Sequence, residues 1–387
     1  MSDDLTLPLC TIRDILSRMP VKSITRFQSV SKPWSAVIKS PDFISIHLRR
    51  SSSNPWLLIR RFHNPSGSNF AIILFNNKTN DVRDIKVPFF TSLSRYPKIV
   101  GSCSGLLCLD VSLCYACGFF LWNVSTSQFK ALPRPRITDA QRPFWMVATG
   151  FGYNPQRNDY KLVRIVNFHR RPDEFPVVRA EIYSWRTGSW RVIDRRVTDH
   201  GIGSCLVTQG QQGVFVNGGL HWLGIGTGKL ADHKFVVSFD LEAEEFRLRK
   251  IPDFVMGICV KILGYDDSLA VAVYPAVAVY PGYGKPFERM ELWVLQDADH
   301  GEKSAWSKVN FINGLGSPEV LLNDSELVMK RMEGNSMNLS LFNIYNEGVK
   351  RLPSCESDFS CEFYSHVDSL VPVDSRDVVE EAEAPQI

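Results

Sequence analysis

The chain has 387 residues, of which 44% are hydrophobic and 22% are charged, as in an ordinary soluble globular protein. Its net charge of +3 at pH 7 is too small to indicate a nucleic-acid-binding protein. No apolar stretch approaches the roughly 18 residues of a membrane-spanning helix, and the acidic start lacks the apolar core of a secretory signal. We therefore expect a protein of the cytoplasm or the nucleus, with one small module and one large domain.

Four short helical patterns occupy residues 7–48. In the first pattern Ile12, Ile15, Leu16 and Met19 have the spacing of one apolar helix face, and a proline follows that ends the helix. The apolar positions of the three later patterns are Val21, Ile24, Phe27, Trp34, Val37, Ile38, Phe43, Ile44 and Leu48.

The third and fourth patterns begin at Ser31 and Ser40, which are typical N-caps, and Pro41 suits the first turn of a helix. Domains of fewer than about 40 residues rarely fold alone, so these helices cannot hide all of their own apolar side chains. The module either docks on another chain or caps the remainder of this one, and the pattern favours docking.

The same residues resemble those of a known family. Leu7-Pro8, the run from Ile15 to Ser23, Arg26-Phe27, Val30 to Lys32, Trp34, Asp42 to Ile44 and His47-Leu48 resemble the F-box of plant F-box proteins. Two departures are Leu9 to Thr11, where the family often has an acidic residue, and Pro33, where it usually has a small polar one.

This resemblance implies that the module binds the Skp-family adaptor of an SCF-type cullin–RING ubiquitin ligase and, through the adaptor, the cullin. Carried over position by position, the implied adaptor contacts are Leu7, Pro8, Ile12, Leu16, Pro20, Val21, Ile24, Val30 and Trp34. Trp34 is the expected anchor, because interface energy concentrates in a few buried aromatic and aliphatic side chains.

The remainder of the chain repeats one phrase, in which an apolar strand with an aromatic residue leads through a polar turn to a second strand. The aromatic landmarks are Phe75, Trp122, Tyr183, Phe239, Trp293 and Phe342, at intervals of about fifty residues. Such a period predicts a β-propeller with about one blade per repeat, because stacked blades bury faces that one hairpin cannot. An antiparallel sandwich is the alternative architecture.

Several of these phrases resemble the F-box-associated domain of plant F-box proteins, which is related to kelch propellers. The matching pieces include Gly101 to Leu107, Trp122 to Thr126, Gly150 to Tyr153, Asp159 to Val163, Asn217 to Trp222, Phe239 to Leu241, and a closing strand at Tyr364 to Leu370. A strict double-glycine kelch signature occurs only at Gly218-Gly219, which indicates a divergent propeller.

The expected fold is mainly β with a small N-terminal α module: a helical F-box followed by a divergent kelch-like β-propeller. We assign residues 1–50 to the F-box and 51–70 to a linker and first strand. Residues 71–373 form the propeller-like domain, and the acidic tail 374–387 is expected to be disordered.

No catalytic constellation is recognisable. His221, within an apolar strand, is expected to be a core histidine, and the glycines between 224 and 228 are interpreted as a β-turn rather than a phosphate loop. Cys114 and Cys117 lack a second pair, so we expect reduced, packed cysteines, Cys103 and Cys108 among them. We predict no metal and no cofactor.

Two features could contact a target protein. A basic surface is expected where two neighbouring strand–loop segments meet, although ordinary solvated charge explains these residues too. Its members are Arg164, His169, Arg170, Arg171, Arg186, Arg191, Arg195 and Arg196, with the four at 170, 171, 195 and 196 as the expected target contacts. The six residues Ala270 to Pro275 recur at once as Ala276 to Pro281. The duplication is either a tolerated loop insertion or a protruding contact loop with Tyr274, Tyr280 and Tyr283 as anchors.

The resemblance implies a non-catalytic substrate-recognition subunit of an SCF ligase, whose F-box binds the adaptor and whose β domain binds an unidentified target protein for ubiquitination and degradation. A small-molecule or glycan-binding β-propeller with a helical cap is the alternative. That alternative predicts a deep pocket and a head with Leu7, Pro8 and Ile24 buried internally. An enzyme is a third and weaker reading, supported only by His221 and the glycine stretch.

Overall fold

A computed structural model describes most of the chain. The described residues are 8–62, 70–87, 97–111, 118–137, 146–168, 177–193, 205–207, 212–227, 230–231, 233–252, 258–275, 290–296, 305–312, 316–323, 325–333, 336–352 and 361–373. No helix within these ranges is long and apolar enough to cross a membrane.

The helical head comprises α1 (Leu9–Ser17), α2 (Val21–Phe27), α3 (Lys32–Lys39) and α4 (Pro41–Ser52). Both predicted serine caps are confirmed. The Ser31 hydroxyl accepts a hydrogen bond from the backbone N–H of Trp34, and the Ser40 hydroxyl accepts one from Phe43, each at 3.3 Å. Each cap satisfies a backbone donor that the helix cannot satisfy internally.

The strands that the structure describes form six antiparallel sheets. Blade 1 holds β1 (Trp56–Phe62), β2 (Phe70–Phe75), β3 (Val82–Ile85) and β25 (Cys361–His366); blade 2 holds β4 (Lys98–Cys103), β5 (Leu106–Asp110), β6 (Phe119–Asn123) and β7 (Gln128–Ala131); blade 3 holds β8 (Met146–Asn154), β9 (Asp159–Phe168), β10 (Val177–Ser184) and β11 (Ser189–Val192).

Blade 4 holds β12 (Cys205–Val207), β13 (Val214–Val216), β14 (Gly219–Gly226), β15 (Lys234–Asp240) and β16 (Phe246–Lys250); blade 5 holds β17 (Ile258–Tyr265), β18 (Ser268–Pro275), β19 (Met290–Gln296) and β20 (Ala305–Ile312); blade 6 holds β21 (Ser317–Asn323), β22 (Glu326–Glu333), β23 (Ser336–Asn343) and β24 (Val349–Arg351).

The innermost strands close a ring. Going round the axis, β25, β4, β8, β13, β17 and β21 each contact the next, and β21 contacts β25. Blade 1 takes its innermost strand from the end of the chain, with Trp56 opposite His366 and Arg61 opposite Cys361. The fold is therefore a β-propeller behind four helices, as predicted, and the described strands form six blades. The sandwich alternative is wrong.

The repeat in the sequence corresponds to one hairpin of each blade. All six landmark aromatics lie on the third strand of a blade, namely β2, β6, β10, β15, β19 and β23. After this strand, Asn76, Asn123, Asp240 and Asn343 each accept hydrogen bonds from the backbone N–H groups two and three residues on. Such side-chain turns favour asparagine and aspartate, which accounts for the polar turn that recurs in the sequence.

The hairpin predicted at Asn217-Gly218 is confirmed: both residues have positive φ, 40° and 74°, between β13 and β14. This backbone suits a two-residue hairpin turn. The interpretation of the next glycines as a β-turn is wrong. Gly224 and Gly226 lie within β14, where they pair with Val207 and Cys205.

Adjacent blades pack through large side chains that fill the space above small residues. Trp222 is fully buried between blades 3 and 4, and its indole Nε1 donates to the Thr149 carbonyl at 3.0 Å. A Cβ on Gly150 would lie 2.6 Å from the Trp222 ring, so only glycine fits there. The glycines near the start of the Gly150 to Tyr153 motif thus serve packing between blades.

Residues 367–373, here called the C-terminal strap, join the propeller to the head. Asp368 accepts hydrogen bonds from Trp56 Nε1 at 3.1 Å and Ser125 Oγ at 2.7 Å. The Asn123 side chain donates to the carbonyl oxygens of Ser369 and Val371 at 3.0 and 2.8 Å. The strap therefore lies against the start of β1 in blade 1 and against the turn between β6 and β7 in blade 2.

This arrangement defines two ends of the propeller. Because strands alternate in direction, the turns between first and second strands lie at the same end as those between third and fourth strands. The strap and the head lie at that end, where Lys78 of blade 1 donates to the Ser53 carbonyl at 3.0 Å. We call it the head end, and the opposite end the far end.

Candidate adaptor and target surfaces

The head has a small core of its own. Leu16, Val21, Ile24 and Phe43 are at most 3% exposed, and Leu370 of the strap packs in the same cluster. Three of the predicted adaptor contacts, namely Leu16, Val21 and Ile24, are thus internal core residues. These residues are aliphatic because they form the core of the head. The prediction that they contact the adaptor directly is therefore corrected.

Other predicted contacts remain available to a partner. Val30 is 60% exposed, Pro8 and Pro20 are exposed, and Ile12 and Trp34 are half-buried. Leu7 lies outside the described residues. The predicted adaptor contacts therefore fall into two groups: side chains that form the core of the head, and side chains that lie on the surface of the head.

Two exposed apolar residues were missed as contacts. Leu9 is 59% exposed and Ile15 is 48% exposed, both on α1. Residues three apart on a helix are neighbours, so Leu9, Ile12 and Ile15 follow one another along one side of α1. This spacing was readable in the sequence, but of these three residues only Ile12 was predicted as an adaptor contact.

Trp34 is held in a fixed orientation. Its ring meets the Phe27 ring edge to face, with the centroids 5.7 Å apart and the planes at 82°, an arrangement that aromatic pairs favour. The indole is only half-buried. A rigid, part-exposed tryptophan loses little conformational entropy on binding, as an interface anchor requires.

A charged cluster fixes α1 against α4. Asp14 lies between Arg50, with Oδ1 and Nη2 2.7 Å apart, and Arg18, with Oδ2 and Nε 3.1 Å apart. The hydrogen bond from Arg50, followed by that from Arg18, lowers the pKa of the Asp14 carboxyl. Arg50 also donates to the Ser17 hydroxyl, so the end of α1 is tied to α4.

The strands that lead to the predicted target contacts point to the far end. Arg170 and Arg171 follow β9, and Arg195 and Arg196 follow β11, but all four lie outside the described residues, as does Tyr280. In each blade the second strand ends at the far end, and so does the fourth. Phe168 and Val192, the last residues of β9 and β11, lie there.

Two family models match the chain. One describes the F-box domain and matches residues 5–46, and the other describes the F-box associated beta propeller domain and matches residues 62–336, more than half of the chain. The chain belongs to the F-box proteins that carry an F-box-associated propeller. Membership supports a general role as a substrate-recognition subunit of an SCF ubiquitin ligase, and F-box proteins are in general non-catalytic subunits.

Curated relatives agree with this membership. F-box protein CPR1 of Arabidopsis thaliana is 25% identical over 395 residues, which cover 95% of this chain and 89% of that protein. An F-box/kelch-repeat protein of the same plant is 27% identical over 324 residues, or 80% of each chain. Among solved structures, TolB from Acinetobacter baumannii has a TM-score of 0.43 at 10% identity, covering 86% of this chain and 72% of TolB, and so weak a likeness carries no functional inference.

Tyr274 of this F-box protein is not on a protruding loop. It lies in β18, paired with Cys259, and is 8% exposed. The first copy of the duplicated six residues is thus a blade strand, and the second copy lies outside the described residues. The prediction of Tyr274 as a loop anchor is wrong, because the alternation of small and large apolar residues in this copy is that of a buried strand.

Two arginines of the expected basic surface are already paired. Arg164 is 1% exposed and its Nη1 lies 2.5 Å from Glu181 Oε1. Arg191 pairs with Glu244, which also accepts from Lys161 at 3.0 Å. These cations stabilise the contacts within and between blades 3 and 4, so they add no free charge to a surface.

The buried histidine and cysteines match their predicted roles. Burial lowers the pKa of His221 to about 4, and its Nδ1 lies 2.8 Å from the Ser238 hydroxyl, so it is a neutral, hydrogen-bonded core residue at pH 7. Cys103 and Cys108 are buried and free. Burial raises the pKa of Cys103 to about 12, which makes it an inert, packed thiol. Cys114 and Cys117 lie outside the described residues.

Proposed function

We propose that this protein is the substrate receptor of an SCF-type ubiquitin ligase, in which the exposed apolar residues of the head bind a Skp-family adaptor. The observation that carries the proposal is the division of the F-box residues. Leu16, Val21 and Ile24 complete the core with help from the strap, yet Leu9 and Val30 remain about 60% exposed. Large exposed apolar side chains grouped on one small module favour a protein interface.

The head is not merely a cap on the propeller. A cap would bury its apolar residues against its own chain, as Ile24 does, but Pro8, Leu9, Ile15 and Val30 are exposed. The strap contributes one leucine to the head core and leaves these side chains uncovered. The alternative of an internal cap therefore explains only the core of the head.

Ile15→Asp combined with Val30→Asp is expected to abolish co-purification with a Skp-family adaptor while the protein stays folded. Both side chains are exposed, so the changes cost little stability, but each places a charge where the interface must be apolar. Loss of one interface anchor typically weakens the binding free energy by about 2 kcal/mol or more. Loss of two anchors should therefore lower the affinity for the adaptor roughly a thousandfold. Pull-down with the purified adaptor, followed by titration calorimetry, measures the effect.

The matched control is Val82→Asp combined with Val349→Asp. These valines are 56% and 50% exposed, like the head residues, but lie on β3 and β24 of the propeller. Full adaptor binding by this control and none by the head variant is the expected result. If both variants bound alike, or if the unaltered chain bound no adaptor, the proposal would fail.

The far end is the proposed target-binding face. Most connections on the head end are short turns, such as Asn217-Gly218, with residues 297–304 between β19 and β20 as a longer one, whereas the long connections 169–176, 194–204 and 276–289 leave and re-enter strands at the far end. Loops on a rigid scaffold commonly carry recognition residues. The proposed contacts there are Arg170, Arg171, Arg195, Arg196 and Tyr280, with an acidic target surface as the complement.

Reversal of the four far-end arginines to glutamate is expected to remove bound target and leave adaptor binding intact. Target recovery is measured by affinity purification from cells of a chain whose Ile15→Asp and Val30→Asp changes uncouple it from the ligase, with and without the reversal. Adaptor binding is measured by pull-down with the four-arginine reversal alone in the otherwise unaltered chain. The control reverses Arg157 and Arg186, which lie in head-end turns. Undiminished recovery of the target after the four-arginine reversal would refute the basic face.

The proposed contribution to ubiquitin transfer is positional. The chain would hold target and ligase core together, which raises the effective concentration of a target lysine near the ubiquitin-charged enzyme. The strap suits this role, since its contacts to Asn123, Ser125 and the head core hold the two parts in one orientation. This chain itself would break no bond.

A further inference from the structure

The propeller encloses a cavity on its axis. It has a volume of about 470 Å³ and is lined by the innermost strands of all six blades. Small-molecule sites in proteins typically measure about 300–1,000 Å³ and combine apolar walls with a few polar groups. The cavity therefore has the size of a small organic ligand, and its lining decides which chemistry it suits.

About half of the exposed wall is apolar. Val214 and Phe215 of blade 4 and Val320 of blade 6 are half-buried side chains of this wall. They would contact the body of a ligand and remove part of it from water, which favours binding of an apolar group.

One side of the cavity carries a cluster with an excess of positive charge. Glu319 accepts from Lys261 Nζ at 2.6 Å and lies 3.3 Å from Lys330 Nζ. Burial opposes ionisation of Glu319, but the charges of both lysines outweigh it and lower the pKa of its carboxyl. Two ammonium groups thus share one carboxylate, and Lys261 and Glu319 line the cavity.

The other acidic residue of the wall is neutralised by its own partners. Glu362 pairs with the buried Arg60 at 2.7 Å and accepts from the Tyr364 hydroxyl at 3.0 Å. Among the described residues that form these two clusters, the net charge is therefore +1, and it resides at the lysine pair. A part-buried charge without a counter-charge is costly, and an anion entering the cavity would relieve that cost.

We propose that the axial cavity binds a small organic anion, with an apolar or aromatic body against Val214, Phe215 and Val320 and an acidic group on Lys261. This ligand site is separate from the adaptor and target surfaces and does not depend on the role in ubiquitin transfer.

The test uses two fluorescent probes on the full-length chain: 8-anilinonaphthalene-1-sulfonate, an apolar organic anion, and N-phenyl-1-naphthylamine, its uncharged counterpart. One saturable site for the anionic probe is expected. Lys261→Met should weaken the anionic probe roughly 10- to 150-fold, since a hydrogen bond to a charged group contributes about 1.5–3 kcal/mol, and should leave the uncharged probe unchanged. Lys261→Arg, which keeps the charge, should retain most of the affinity.

The matched control is Lys308→Met. Lys308 also bonds to one glutamate, Glu291, but lies on β20, outside the cavity, so both probes should bind this variant normally. Probe could also bind to the exposed apolar residues of the head. The variant Ile15→Asp with Val30→Asp removes two of those residues and should leave the saturable site intact. The proposal is overturned if no saturable site exists, if the head variant abolishes it, or if Lys261→Met weakens both probes alike. Thermal melting of every variant distinguishes a lost site from a lost fold.

Discussion

A chain that ends at residue 360 is expected to lose its cooperative unfolding transition altogether. The deletion removes β25, the innermost strand of blade 1, and leaves β1 with an unpaired edge on the propeller axis. Phe363 and His366 on this strand are 7% and 1% exposed, so their loss also opens the core between blades. A propeller without its closing strand exposes both a sheet edge and apolar surface, which favours aggregation.

Thermal melting followed by circular dichroism, together with limited proteolysis, measures this effect. The matched control is a chain that ends at Val373, which keeps β25 and the strap and should melt like the full-length protein. A third chain that ends at Val367 separates the strand from the strap. A cooperative melt of the 360-residue chain at the normal temperature would show that β25 does not close the ring.

The chain that ends at Val367 should keep the propeller and destabilise the head. Leu370 fills the head core beside Leu16 and Ile24, and deletion of a buried leucine side chain typically costs about 2–5 kcal/mol. The bonds of Asp368 to Trp56 and Ser125 would be lost with it. Helical signal should then melt before strand signal, whereas the two coincide in the full-length chain.

Local patterns predicted most of the architecture. The periodic aromatics predicted the blades because each lies on the same strand of its sheet, and the asparagines that follow them form the turns. The serine caps and the Asn217-Gly218 turn were readable because each depends on its immediate neighbours. These features require no knowledge of distant contacts, which is why the sequence sufficed.

The errors arose where distant residues decide the outcome. The F-box pattern does not reveal that Leu16, Val21 and Ile24 form a core, because Leu370, which completes that core, lies at the other end of the chain. Likewise, Tyr274 looked like a loop residue in a duplicated segment until its pairing with Cys259 was known. The excess of positive charge at Lys261 was also not predictable, because it depends on Glu319 and Lys330, which belong to a different blade.

Arg164 illustrates the same limit, because the sequence suggested a surface cation. Glu181 stands directly opposite Arg164 across β9 and β10, and neither side chain is more than 1% exposed. The Glu181 carboxylate also accepts from the backbone N–H groups of Arg136 and Ile137 at 2.8 and 2.9 Å. Arg164 donates in turn to the Ile137 carbonyl at 3.0 Å. The pair thereby fixes the chain between blades 2 and 3.

Arg164→Met is expected to lower the free energy of unfolding by about 3–5 kcal/mol, because it leaves a buried carboxylate without its cation. Urea denaturation at pH 7 measures the loss. The control is Arg157→Met, which breaks the ion pair of Arg157 with Glu242 on the surface. The two side chains are 50% and 41% exposed, so this change should lower the free energy of unfolding by at most about 1 kcal/mol.

Adding Glu181→Gln to Arg164→Met should restore part of the lost stability. A glutamine carries no charge to be solvated, its carbonyl can still accept from Arg136 or Ile137, and its amide can donate to the Ile137 carbonyl that Arg164 leaves. Recovery should remain incomplete, because one amide oxygen replaces the two carboxylate oxygens that held Arg164 and the backbone. If the double variant were less stable than Arg164→Met alone, the cost would lie in lost hydrogen bonds rather than in an uncompensated charge.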